Sequence, residues 1–520
     1  MTAKQAIGFS LLLMLMLAVL LGACDNGGND SDDDSNSPAD DDLAADDDDA
    51  PGDDDTADDD TSGDDDTADD DSAFTCDIDH ADSTVGLLSC HDGAFEGYTL
   101  LEPGMTTTMY LVDIYGRIVN TWKSSFLPGQ VAYLLENGQL LRTGNTLNLN
   151  FRSGGQGGIV MLQNWDGTVT WRYRYSTDSY CSHHDVEMLP NGNLLLIAWE
   201  KKTAAEAIAA GRNPASLRDE LWPDKIVEVE PVGSNDGNIV WEWHAWDHLI
   251  QDYDGSKDNY GTVADHPELI DINYYSGTQQ DWLHTNAVEY NEEFDQILLS
   301  VREFNEVWVI DHGTTTEEAA GRLGGARGQG GDILYRWGNP AAYGYASAGR
   351  FFYLQHDGQW IEPGLPGASH MMVFNNGVGR PGGNYSTVDE WIPPSDAAGN
   401  YPFPNPVYGP DDLFWTYVAP NPTDLFSSSM SGAQRLANGN TLICSAVSGH
   451  LTEVTAEDET VWEYINPVTE AGIAQQGQPI VPGVMGNGNM MFRSYRYAPD
   501  FPGFAGMDLT PGDCLVEPCE

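Results

Sequence analysis

The chain is poor in positive charge: 22 Lys and Arg stand against 82 Asp and Glu in 520 residues, a formal net charge of −60. A surface of that sign repels a phosphate backbone, so nucleic-acid binding is excluded as a function class. No CxxC pair occurs among the seven cysteines, which removes the usual thiolate zinc sites, and no metal or other cofactor is expected. After the first two dozen residues no apolar run approaches membrane length, so nothing later in the chain is expected to span a bilayer.

What the chain does have begins with an export pattern. Lys4 supplies a positive start, and Phe9 to Leu21 is an apolar run broken only by Ser10. That run is short for a permanent span and ends in small residues. Leu21-Gly22-Ala23-Cys24 is the pattern cleaved just before a cysteine that then receives lipid. Residues 1–23 are therefore expected to be a lipoprotein signal peptide and Cys24 the lipidation site. The protein would be exported and held to the cell envelope, periplasmic or at the outer surface, by its lipid anchor alone.

Residues 24–75 are expected to be an acidic tether. From Asp25 to about Ser72 the chain is Asp, Ser, Thr, Gly, Ala and Pro, with repeats such as DDDTADDD. So little apolar surface cannot offset ordering entropy, which predicts a disordered, self-repelling spacer. Calcium binding is the other reading of alternate aspartates, but the loop glycine and closing glutamate of a calcium hand are missing.

Six cysteines remain after Cys24, an even number compatible with disulfides in an exported chain. Cys76 with Cys90 and Cys514 with Cys519 are the local pairings, among fifteen that are possible.

Between residues 76 and 520 one unit recurs: a short apolar strand, an Asn-Gly type turn and a second apolar strand. It appears as VAYLLENGQLLRTG from Val131, HDVEMLPNGNLLLIAW from His184 and HTNAVEYNEEFDQILLSVRE from His284. It returns as HDGQWIEPGLPGASHMMVFNNG from His356, SGAQRLANGNTLICSA from Ser431 and VPGVMGNGNMMFRSY from Val481. Asn-Gly between alternating apolar residues signals a hairpin whose two turn positions both take positive φ. Tryptophan-rich strands fall between the hairpins: IVNTW, TVTWRYRY, NIVWEWHAW, DILYRW, LFWTYV and TVWEYI. Six units of three or four strands predict an all-β fold, a six-bladed β-propeller over residues 76–520. Its long inter-strand loops would be segments such as 203–224 and 245–281.

Three units carry a histidine at one equivalent point: His184 in SHHD, His284 in LHTN and His356 in QHD. First strands line a propeller's central channel, so these imidazoles should converge on one mouth. Arg302 ends the strand that returns from His284, which should set the two side by side. The corresponding positions elsewhere hold Glu200 and Asn376. Alternation predicts that His183 faces away from His184. His244 and His248 have the spacing of two metal ligands but no third, which favours packing at the rim; His312 and His450 receive no role.

With HHD before LPNGN, HTN before SVRE, QHD before VFNNG, SGAQRLANGNTL with VWEY, and the closing FRSYRYAPDFPGF, the sequence resembles the arylsulfate sulfotransferase family over nearly the whole propeller. The resemblance implies an exported six-bladed propeller that moves a sulfuryl group from a phenolic sulfate ester to another phenol. It implies a transient sulfohistidine, no nucleotide sulfate donor, and small-molecule partners only, an aryl sulfate and a phenol. His356 would be the nucleophile, with His184, His284 and Arg302 around it. His370 is the rival, but His356 shares the hairpin position of His184 and His284, whereas His370 opens a returning strand and should start at the remote end. The residues alone leave two alternatives open, a noncatalytic surface propeller that binds a ligand and an aryl-sulfate hydrolase. Only about fifty residues separate Cys76 from the first hairpin, too few for the N-terminal domain that dimerises family members, so the oligomeric state is left open.

Overall fold

The computed structural model describes residues 74–519 apart from 276, 278, 405 and 481–487. The expected signal peptide, Cys24 and nearly all of the expected tether lie outside the described residues. Among those described, no helix is long and apolar enough to cross a membrane.

Six antiparallel sheets are arranged as the blades of a propeller. The first blade runs outward through Pro128–Leu134, Leu140–Asn145, Gly158–Gln163 and Val169–Arg174. The second is Tyr180–Met188, Leu194–Glu200, Asp224–Val232 and Asp236–His244; the third is Thr285–Asn291, Gln296–Val301, Glu306–Asp311 and Tyr335–Trp337. His356–Trp360, Met371–Asn375, Thr387–Trp391 and Trp415–Tyr417 make the fourth, and Gly432–Arg435, Thr441–Ser445, His450–Val454 and Thr460–Ile465 the fifth. The innermost strands pack in succession around the axis. The tryptophan-rich segments are the fourth strands, and Trp122, Trp243 and Trp462 are wholly buried between layers. The two long loops carry short helical turns, among them Ala204–Ala209, whose N-cap Thr203 and Glu206 form a capping box.

The sixth blade departs from the expected hairpin. Met491–Tyr497 is an innermost strand, and its partner is Tyr98–Pro103 from the other end of the chain, followed by Thr108–Val112 and Ile118–Lys123. The preceding Gly86–Cys90 extends the outer edge of the fifth blade by pairing with Thr460–Ile465. Pairing first with last closes the ring and removes two strand edges at once. The expected strand at Val481 lies outside the described residues. Disulfides Cys76–Cys90 and Cys514–Cys519 tie down the two ends, while Cys181 and Cys444 are free and buried.

The hairpin turns also differ from the expected form. Gly138 and Gly192 take φ of 79° and 86°, but Asn137 and Asn191 are not left-handed. Each Asn Oδ1 instead accepts the backbone N–H two residues on, from Gln139 and Asn193, at 2.9 Å. The loops are three residues long, a type I turn closed by a left-handed glycine, and the asparagine serves through its side chain.

Candidate functional site at one channel mouth

A kink opens the three histidine-bearing inner strands at the same end of the channel. His184 and His284 themselves sit at φ of 52° and 54°, and in the fourth blade Asp357, next to His356, takes 57°. Bulges interrupt the pairing there, between Ser182 and Val186, Thr285 and Ala287, and His356 and Gln359. A left-handed residue with a bulge re-aims side chains that strict alternation would send elsewhere.

The result brings His184 and His284 together, with ring centroids 4.6 Å apart. His356 joins them through the shared neighbour Phe492, 5.8 Å from the His184 ring and 6.3 Å from that of His356. Arg302 follows the strand that ends at Val301, the partner of Thr285, so it stands beside His284; its guanidinium pairs with Glu303. His370 sits at the other end of its hairpin, bonded through Nδ1 to Glu390 at 2.6 Å and packed on Phe414.

The ring nitrogens are fixed by acceptors. His356 Nδ1 lies 2.7 Å from Asn376 Oδ1, so Nδ1 carries the proton and Nε2 the lone pair; the Met430 N–H approaches that Nε2 at 3.2 Å. Asn376 is itself held by donating to the Ser427 and Met430 carbonyls. His284 Nδ1 donates to Asp281 Oδ2 at 2.5 Å. His183, expected to face away, instead meets His184 Nδ1 to Nδ1 at 2.8 Å and reaches Asp224 Oδ1 through Nε2 at 3.1 Å. The positive φ at His184 breaks the alternation on which that expectation rested.

Electrostatics separate these groups. Burial, then the neighbouring His284, holds His184 well below the usual histidine range; burial, then Arg302, does the same for His356. Both are neutral imidazoles near pH 7. Burial would raise Asp281, but His284, His183 and Ser153 outweigh it and keep this carboxylate charged.

Beneath the imidazoles lies an ionic knot. Asp185 and Asp357, which follow His184 and His356, close on Arg493 of the final strand at 2.7 and 3.0 Å. Arg493 also donates to the Asn286 carbonyl at 2.7 Å. Three inner strands are thereby locked in register to the sixth, by charges that are all buried. Sequence reasoning missed Arg493, Asp281, Asp224 and Asn376. A signal was available for one of them, because two buried carboxylates behind histidines demand a cation.

The histidines with rim-like spacing do not share a ligand. His244 Nδ1 bonds Glu200 at 3.2 Å, whereas His248 is buried between Asp332 and the Ala319 carbonyl, both at 2.8 Å. His312 bridges Asp295 at 2.6 Å and Glu228 at 3.1 Å.

Fold and cluster together define a six-bladed propeller with an imidazole and arginine centre at one channel mouth. The model of the arylsulfotransferase (ASST) family matches residues 69–476, most of the chain, and the chain belongs to that family. Membership supports aryl sulfotransfer between small phenolic molecules as its general activity. No curated protein matches the sequence. Among solved structures it is similar to a Bacteroides caccae protein of unknown function, at 11% identity and a TM-score of 0.40 over 71% of this chain and 93% of that one. A streptogramin B lyase matches at 10% identity and 0.35, covering 75% and 85%. Virginiamycin B lyase from Staphylococcus aureus with quinupristin matches at 9% and 0.34, covering 75% and 91%. Likeness at that level says nothing about chemistry.

Proposed function

We propose that the protein transfers a sulfuryl group from an aryl sulfate to a phenol through a sulfohistidine at His356, without a nucleotide donor. The observation that carries this reading is the Nδ1–H of His356 on Asn376 Oδ1, which leaves the lone pair on Nε2 of a neutral ring beside Arg302. In the first half-reaction Nε2 attacks sulfur, the bond from sulfur to the aryl oxygen breaks, and the departing phenoxide takes the Nε2 proton of a doubly protonated His284, which becomes neutral while its Nδ1–H stays on the Asp281 carboxylate. In the second, the acceptor phenol returns a proton to His284, its oxygen attacks sulfur, and the N–S bond breaks. The forked Arg302 guanidinium faces the charge that spreads over the three sulfuryl oxygens. The Met430 amide, long-bonded to Nε2 at rest, is left beside those oxygens once the N–S bond forms. His184 remains a neutral neighbour beside the group in flight.

The test is nitrophenol release from its sulfate ester with and without a phenol, followed by peptide mapping after exposure to donor alone. Phenol-dependent release, ping-pong kinetics and an acid-labile adduct on the His356 peptide are expected. His356→Asn should lose the adduct and His370→Asn keep it. Release without a phenol would make the protein a hydrolase, and no release with no adduct would leave a binding propeller.

We also propose that the chain is exported and lipid-anchored through Cys24. Two disulfides, Cys76–Cys90 and Cys514–Cys519, support an oxidising compartment. An acyl mass on the N-terminal peptide, lost in Cys24→Ser together with membrane association, is the expected result; an unmodified soluble wild type would refute it.

A further inference from the structure

Most buried arginines of this acidic chain are neutralised by carboxylates: Arg142 by Glu102, Arg336 by Glu306, Arg493 by Asp185 and Asp357, and Arg496 by Glu453. Two arginines on the side of the candidate site are not. Arg350 is exposed and stands over the Tyr353 ring at 4.0 Å, with no carboxylate partner among the described residues. Arg380 approaches the same ring at 5.6 Å and Tyr385 at 4.5 Å. It donates Nη2 to Thr387 Oγ1 at 2.9 Å, while its buried Nε has no partner. Two guanidinium groups therefore share one phenol ring without an anion between them.

A cavity of about 370 Å³ adjoins Arg350, lined also by Tyr274, Tyr275, Leu354 and Val378, with Glu303 and Asn305. It touches the candidate site at two points. Glu303 is the residue paired with Arg302, and Leu354 lies two residues before His356, its N–H on Asn305 Oδ1 at 2.8 Å. The one acid of this lining thus has its charge taken up by Arg302. The space suits one or two aromatic rings against two tyrosines.

We propose that this cavity seats the aryl ring of the substrate, and that Arg350, with Arg380 across the Tyr353 ring from the same side of the site, selects rings bearing a second oxyanion, a carboxylate or sulfonate, remote from the reacting oxygen. The proposal rests on the sulfotransferase reading and adds the substrate class to it. The physical demand is clear in a chain of net charge −60. A dianionic ester is repelled by the molecule as a whole, and unpaired guanidinium groups at the entrance supply local attraction.

The experiment compares kcat/KM for 4-carboxyphenyl sulfate and 4-nitrophenyl sulfate in the wild type, Arg350→Gln and Arg380→Gln, with calorimetric binding of 4-hydroxybenzoate and phenol alongside. The wild type should bind 4-hydroxybenzoate about tenfold more tightly than phenol, the scale of one charge-assisted hydrogen bond. Exposed Arg350 is the safer substitution for folding, and Arg350→Gln should raise KM for the carboxylated ester about tenfold while leaving kcat/KM for the nitro ester near that of the wild type. A wild type that binds phenol as tightly as 4-hydroxybenzoate, or a KM for the carboxylated ester unchanged in both variants, overturns the proposal. If neither ester turns over but 4-hydroxybenzoate binds in an Arg350-dependent way, the subsite stands and the transferase reading falls.

Discussion

Asp281 and His284 are joined by a 2.5 Å hydrogen bond from Nδ1 to Oδ2, and the same carboxylate also accepts from Ser153 Oγ at 2.5 Å and Trp199 Nε1 at 2.9 Å. Donors from the loop after the first blade's second strand and from the second blade therefore orient the imidazole that precedes the third. The bond fixes the His284 tautomer and turns Nε2 to the channel.

Asp281→Asn should leave the protein folded but impair proton delivery to the departing phenoxide. The rate loss should be about 10²- to 10⁴-fold with phenyl sulfate, whose phenoxide needs the proton. It should be much smaller with 4-nitrophenyl sulfate, whose phenoxide leaves unaided. Equal losses with both esters would reduce Asp281 to a structural part.

Arg302→Lys keeps the charge and loses the forked donor geometry. Turnover should fall by about a hundred- to a thousand-fold while the melting temperature stays near that of the wild type. Near-normal turnover would remove Arg302 from the transition state.

Gly155 accepts the His184 N–H through its carbonyl at 2.7 Å, and at its φ of 81° a Cβ would enter the His184 ring. Gly155→Ala should displace that imidazole and cost activity well beyond its effect on stability. A crystal structure with His184 unmoved would contradict this.

His312 gives the protein a pH-dependent term remote from the site. Burial would lower it, but Asp295 and Glu228 raise its pKa from 6.5 to about 9. The folded state then holds a proton that the unfolded chain releases near 6.5, so the contribution is complete below that pH and is lost as pH rises through about 9. The span between those values sets a ceiling of about 3 kcal/mol, reduced to about 1–2 kcal/mol by solvent around half-exposed Asp295. Denaturant titrations from pH 6 to 10 should show that decline in the wild type and a flatter profile in His312→Gln.

The sixfold repeat was legible because glycine turns and fourth-strand tryptophans are local signals. Ring closure was not, since Tyr98 meets Tyr497 about 400 residues later and no local pattern encodes so distant a pairing. In the site, His184, His284 and His356 could be found by register, and Arg302 by its place opposite His284. Their orienting partners could not. Asp281 and Asp224 act across strands and blades, and the left-handed turn at His184 brings His183 inward against the alternation of a regular strand.

The pairing of the last strand with the first gives the molecule an intrinsic completeness check. Arg493 arrives on Met491–Tyr497, after both carboxylates it neutralises have been made. Without that strand Asp185 and Asp357 would lose their shared cation, and the inner strands bearing His184 and His356 their common anchor. A chain cut before residue 491 should therefore keep every imidazole of the site and lose the activity they carry together.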